Sequence, residues 1–186
     1  MPAGGSAAAA AVAMAAGLVE KSARLSTAHW IDAADVGKRA AVLRKLAAVL
    51  IEADATAYTD YMQAMRKARG LHTGERERVL RTARERIIEV PLTVARAAAE
   101  VTELAAIIAL HGNPNLRSDA TVAAHLGAAA AHSSATTLAA NVSDARLDEA
   151  RKLAREASAR LTPLRARGRA GARGRVRARS RGTGRR

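Results

Sequence analysis

Apolar positions recur at helical spacing along nearly the whole chain, and strand formers never gather into alternating runs. An alanine-rich stretch opens at Ser6 and continues to about Leu25, which predicts a first helix with Ser6 as its cap. Ser26 to Val36, with Trp30 inside it, reads as a connector. A second helix is predicted from about Gly37 to Arg66, with Val42, Leu43, Leu46, Val49 and Leu50 at helical spacing. Lys67 to Glu75 holds Gly70, Thr73 and Gly74 and reads as a loop. The mixed charges of Glu75-Arg76-Glu77-Arg78 start a third helix with a solvated face. Pro91 predicts a kink or a new start there, because it lacks an N–H and pushes Val90 out of helical geometry. An apolar helix then resumes from Leu92 to Leu110.

The stretch from His111 to Ala124 divides the chain. Gly112 is a natural helix stop, and Asn113, Pro114 and Asn115 continue it as a turn. Ser118 is placed to cap a fourth helix running to about Asn141, with Asp119 in its first turn, at the positive end of the dipole. Taken alone, this is a well-capped connector between helices. A last amphipathic helix is predicted over 144–161, with Leu147, Ala150, Leu153, Ala157 and Leu161 on one side and Thr162-Pro163 ending it.

The fold class that follows is all-α: a bundle of about five helices over residues 1–161, followed by a disordered Arg/Gly-rich tail over 162–186. Composition supports it. Alanine dominates the apolar residues, and Trp30, Tyr58 and Tyr61 are the only aromatics, so the helices must pack closely. The net charge of +14 is uneven: 160–186 hold 11 arginines and no acid, which leaves +3 for 1–159. Any nucleic-acid binding is therefore an expectation for the tail alone. The apolar run from Ala7 to Val19 is too short to span a bilayer and lacks the charged flank of a signal peptide, so no membrane role and a cytoplasmic location are expected.

Several classes of chemistry are excluded. There is no cysteine, and His111, His125 and His132 lack the acids and the H-E-x-x-H spacing of a metal site. No nucleophile elbow, Walker loop or G-x-G-x-x-G turn is present. What remains is weaker. Gly4-Gly5-Ser6 sets free backbone N–H groups at a helix start, suited to an anion or a carbonyl oxygen. Asp54, Tyr58 and Tyr61 fall on one face of the second helix at i, i+4 and i+7. That face reads first as a solvated edge, with the wall of a site as the alternative.

Four motifs occur in order: Pro2-Ala3-Gly4-Gly5-Ser6 before an alanine helix, Asp54-Ala55-Thr56-Ala57-Tyr58, Val90-Pro91-Leu92, and Gly112-Asn113-x4-Ser118-Asp119-x2-Val122-Ala123-Ala124. In this order they resemble the formiminotetrahydrofolate cyclodeaminase / methenyltetrahydrofolate cyclohydrolase family over about residues 2 to 160. The resemblance implies an all-helical homodimer acting on tetrahydrofolate one-carbon units, with no cofactor beyond tetrahydrofolate as carrier. One reaction closes 5-formiminotetrahydrofolate to 5,10-methenyltetrahydrofolate with loss of ammonia. The other adds water to the methenyl bridge to give 10-formyltetrahydrofolate.

Asp54 matches the family's catalytic carboxylate. Gly4, Gly5 and Ser6 are similar to its substrate-binding turn, and Asn113, Ser118 and Asp119 to the part expected to read a pterin edge. Asn141 matches the second of two expected asparagines, while Thr137 stands at the first. Ala3 replaces the first of three glycines, and the helix that usually precedes that motif is missing before Met1-Pro2. Two alternatives stand beside the enzyme reading: a degenerate member that keeps the bundle without the chemistry, and a helical domain whose Arg-rich arm binds RNA or DNA.

Overall fold

The computed structural model describes the backbone of residues 4–182 and side chains as far as Leu164. Five helices make up the described residues: α1 (Gly4–Arg24), α2 (Ala33–Lys67), α3 (Thr73–His111), α4 (Arg117–Ala139) and α5 (Ala145–Gly182). A single 3₁₀ turn, Pro114–Leu116, precedes α4. The predicted all-α bundle is what forms, without strands among the described residues.

The arrangement is simple. Helices α1, α3 and α4 pack on one another in the middle; α2 covers the α1 and α3 side, and α5 covers the α3 and α4 side. Most buried apolar residues are alanine, with larger side chains such as Val12, Leu43, Ile88, Leu92, Ile108 and Leu138 filling the spaces between. Small side chains let backbones approach closely, so dispersion contacts replace bulky packing. Ion pairs cross most of the seams. Arg44 bonds Glu20 between α2 and α1 (2.8 Å), Arg86 bonds Asp60 between α3 and α2 (2.7 Å), and Arg160 bonds Glu103 between α5 and α3 (2.7 Å). Arg96 grips Glu149 with two bonds (2.7 and 3.0 Å), and these hold the Glu149 carboxyl below its ordinary value. All are substantially exposed, so they fix register more than they stabilise.

Four sequence expectations change. Pro91 neither kinks the chain into two helices nor restarts it; α3 runs through it unbroken, with Pro91 itself buried. Ser118 is not the N-cap of α4: the cap position is Leu116, without a side-chain bond, and Ser118 lies inside the first turn. Thr162-Pro163 does not end the last helix, since Pro163 lies within α5 and Leu164, one turn past Leu161, is also buried. The disorder expected over 162–186 concerns, past Leu164, side chains outside the described residues.

The fourth concerns α2. Its apolar residues do not form one buried stripe: Leu43 and Leu50 enter the core, whereas Val42, Leu46 and Val49 face outward, with Val49 67% exposed. Leu43→Ala should therefore cost about 3 kcal/mol through lost burial and a cavity, while Val122→Ala at an exposed position of α4 should stay within about 0.5 kcal/mol. Urea unfolding of the two variants measures the contrast.

Candidate functional site

The two glycines before Ser6 place the start of α1 against the middle of α2. Asp54, on α2 and only 8% exposed, points its carboxylate at that start. Its Oδ2 accepts from the Ser6 backbone N–H at 2.7 Å and from Ser6 Oγ at 2.8 Å. Both bonds are charge-assisted, and the positive end of the α1 dipole adds to them. The acid thus caps a helix from which it is separated by 48 residues. Gly5 is required by this contact: a Cβ there would lie 2.1 Å from Asp54 Oδ1. Oδ1 itself accepts no hydrogen bond among the described residues, and so one carboxylate oxygen is fixed while the other is available.

Asp54 also forms part of the wall of a small cavity of about 110 Å³ between α2, α3 and α4. Tyr58 and Tyr61 share that wall, Ile87 and Pro91 of α3 close another side, and Thr137 and Asn141 stand at the end of α4. The Asn141 side-chain amide donates to the carbonyls of Ile87 (3.3 Å) and Thr137 (3.2 Å), which ties the α4 terminus to α3. Gly4 faces Thr137, whose Oγ1 would be 3.4 Å from a Cβ at that glycine. Two tyrosines read as a solvated edge are therefore the side of a cavity, although Tyr58 is still 57% exposed. Ile87 was not legible as a site residue; Pro91 carried a signal, a proline inside a helical pattern, that pointed to backbone geometry rather than to a cavity.

The candidate residues divide into two groups. Gly4, Gly5, Ser6, Asp54 and Asn141 come together at one end of the bundle. Asn113, Ser118 and Asp119 do not join them. They lie by the opposite end of α1, some 15 residues and about 22 Å along the helix from Ser6. There, Asn113 N–H donates to Ser26 Oγ (2.8 Å) and its side-chain amide to the Leu25 carbonyl (3.2 Å), while Asp119 pairs with Lys21 (2.7 Å). Gly112 is extended rather than left-handed (φ −77°), and its lack of a side chain matters because a Cβ would press within 2.7 Å of Ser26 Oγ and the Ile108 carbonyl. Within one chain, this motif is a lock between the end of α1 and the α3–α4 turn. Ser6 also differs from expectation: its N–H goes to Asp54 and its hydroxyl to Asp54 and, at 3.2 Å, the Ile51 carbonyl, so neither donor is free for a ligand.

Among the described residues no group of acids and histidines could hold a metal ion, and no helix is long and apolar enough to cross a membrane. The larger groove between α3 and α5, about 710 Å³, is bordered by Arg96, Glu100, Glu103 and Arg160, whose charges are already paired across the seams. It offers nothing like a fixed carboxylate with one oxygen free.

Ser6→Ala should cost about 1–3 kcal/mol, because a buried carboxylate loses a donor. Asp119→Ala at the exposed Lys21 pair should cost under about 1 kcal/mol. Denaturant midpoints at constant slope test both values.

The model of the formiminotransferase-cyclodeaminase family matches residues 1–160. Among solved structures, the crystal structure of formiminotetrahydrofolate cyclodeaminase from Thermotoga maritima superposes with a TM-score of 0.74 at 22% identity, covering 88% of this chain and 87% of that one. At that identity the likeness establishes the shared helical fold. No curated protein is significantly similar to the chain.

Proposed function

The chain belongs to the formiminotransferase-cyclodeaminase family, and from that premise we propose that it is a folate one-carbon enzyme of the cyclodeaminase/cyclohydrolase type, with Asp54 as its proton-transfer group. One observation carries the assignment: Asp54, which borders the cavity, is held at the α1 terminus through one oxygen while its other oxygen accepts no hydrogen bond among the described residues. A carboxylate so fixed can take and return a proton without having to be reoriented between the two steps.

In the cyclodeaminase direction, N10 of the folate attacks the carbon of the protonated formimino group on N5, forming the N10–C bond. Asp54 Oδ1 accepts the N10 proton and delivers it to the exocyclic nitrogen. The bond from carbon to that nitrogen breaks, ammonia leaves with the electron pair, and the methenyl cation remains. In the cyclohydrolase direction, water adds to the methenyl carbon and Asp54 takes its proton. The carbon–N5 bond then opens as the hydroxyl on that carbon becomes the formyl C=O: Asp54 returns its proton to N5, which keeps the electron pair of the broken bond, and the hydroxyl proton leaves to solvent. Both directions use one proton carrier and need no redox partner, with tetrahydrofolate serving only as the carrier of the one-carbon unit. Tyr58, Tyr61 and Pro91 supply apolar walls that limit water at the reacting carbon, while Asn141 fixes the α4 end of the cavity.

We also propose a homodimer built on the exposed α2 stripe. Val42, Leu46 and Val49 are spaced i, i+4 and i+7, and all three are open to solvent. A second copy packed antiparallel on this stripe would set Lys38 of one chain against Glu52 of the other. Sedimentation should find a dimer for the natural chain and a monomer for Val49→Lys; a natural chain that sediments as a monomer would overturn this.

Asp54→Asn keeps the shape of the side chain and removes its proton chemistry. It should lower methenyltetrahydrofolate hydrolysis and formiminotetrahydrofolate cyclisation by about 10²- to 10⁴-fold with unchanged helical content. Spectrophotometric assay against enzyme-free controls measures this, and intact turnover would remove Asp54 from the role.

A further inference from the structure

The Arg-rich stretch is used neither by the Asp54 cavity nor by the packing of the bundle. The structure shows where it leaves the body. Helix α5 starts level with the cavity end of α3, where Arg146 bonds Glu85 (2.9 Å), and reaches Glu103 at Arg160 (2.7 Å). It therefore runs the same way as α3, whose last residue, His111, holds its ring 5.6 Å from that of Trp30 in the α1–α2 connector. That is the end of the bundle tied by Asn113 and Ser26, opposite Asp54. Leu161 and Leu164 are buried in the core, and the backbone of α5 continues past them to Gly182. The arm thus departs about 28 Å along α5 from its start.

Charge decides what such an arm can bind. Residues 165–186 hold ten arginines and no acid, eight of the ten within the helix. The body has little with which to neutralise them. Of its seventeen acids, eleven already pair with a lysine or arginine, and Asp54 is taken by Ser6. Asp32, Glu52, Glu75, Glu89 and Asp148 are left without a cation among the described residues. Glu52, Glu89 and Asp148 lie toward the cavity end, near Asp54, Pro91 and Arg146 in turn, and Glu75 opens α3 beyond it. Only Asp32, at the start of α2, stands at the end from which the arm leaves. That end adds positive charge of its own: Arg24 closes α1 and Arg117 opens α4, both exposed and bonded to no acid among the described residues.

We infer that residues 165–186 form an arm that binds nucleic acid through its phosphate backbone, without reading base sequence. Eight arginines over the helical part, about 27 Å long, give about one positive charge per 3.4 Å, the density at which one nucleic-acid strand carries phosphates. Guanidinium groups meet phosphates in the two-pronged manner that lysine cannot. The segment has no aromatic residue on which a base could stack, so it can grip a backbone but has no platform for bases. A membrane surface suits it less. An interfacial helix needs one apolar face, yet Val176 is the only apolar residue larger than alanine after Leu164. Arginines two positions apart lie about 200° apart around a helix, so their positions surround it rather than follow one side. The arm leaves the bundle at the end remote from Asp54, and its binding stands independently of the folate reading.

Fluorescence anisotropy on the full chain tests this, with labelled oligo(U) and oligo(dT) of about 20 nucleotides and salt varied over roughly 50 to 200 mM. Log affinity against log salt should fall with a slope of about −4 to −6, the value for six to eight phosphate contacts on a single strand. The variant Arg173→Gln/Arg175→Gln/Arg177→Gln/Arg179→Gln should bind roughly 10²- to 10³-fold more weakly at about 0.1 M salt, with a slope shallower by about 3. Lysine at the same four positions keeps the charge and should restore affinity to within about tenfold. A charge-matched control, Arg66→Gln/Arg69→Gln/Arg76→Gln/Arg78→Gln, removes four exposed arginines around the α2–α3 turn and should stay within about threefold.

Oligo(U) and oligo(dT) should bind within about threefold of each other, because both offer the same backbone. A preference of more than about tenfold for either would overturn recognition by phosphate alone. No binding by the natural chain, a slope near zero, or an equal loss in the control would each overturn the arm. So would retention on vesicles of phosphatidylcholine and phosphatidylserine that excess oligo(U) does not strip, since the arm would then serve a lipid surface.

Discussion

The contact between Asp54 and Ser6 organises this molecule. A helix start exposes N–H groups with no partner in the helix, and a buried carboxylate needs donors. Each need is met by the other, across 48 residues of chain and between two helices whose remaining contacts are mostly alanine. Alanine surfaces are nearly featureless and do little to fix how far one helix slides along another. A directional, charge-assisted bond does, and it sets the level at which α2 meets α1. Everything in the cavity depends on that level, because Tyr58 and Tyr61 follow Asp54 on the same helix and find Pro91 and Asn141 only in this register.

One carboxylate therefore serves two ends. The oxygen that caps α1 is structural, and the other, which accepts no hydrogen bond among the described residues, is the one proposed to carry the proton. Such a division explains why glycine precedes Ser6. The carboxylate lies so close to the backbone that any side chain at position 5 would displace it. Chemistry and folding here share a residue, so loss of function at Asp54 has to be separated from loss of the register it maintains. An amide of the same shape makes that separation possible.

Much of the fold was legible in the sequence, for reasons that lie in local physics. Helix periodicity and alanine content report on a few consecutive turns, and they located the starts of all five helices to within a few residues, though not the end of α5. They erred where a long-range condition decides. Pro91 looks like a break to any rule about single helices, yet α3, packed on several sides, continues through it as one helix. Val42, Leu46 and Val49 cannot be distinguished from Leu43 and Leu50 by hydropathy, because only the position of α1 decides which face is inside. The site divides in the same way. Asp54 and the glycine-serine start were legible through the order of the motifs, whereas their mutual bond was not. Asn113 and Asp119 belong to an equally distinctive motif, and here they serve as structural links to Ser26 and Lys21 at the other end of α1.

The alanine interior has an effect on the entropy of folding. An alanine has no rotatable side-chain angle, so burying it freezes nothing beyond the backbone, whereas a buried leucine or methionine gives up rotamer freedom. A bundle built this way gains less from each residue it hides and also loses less in ordering it. Such a core has few alternative packings available to it. Once the Asp54–Ser6 bond has set the register, there is almost nothing between the helices that can turn.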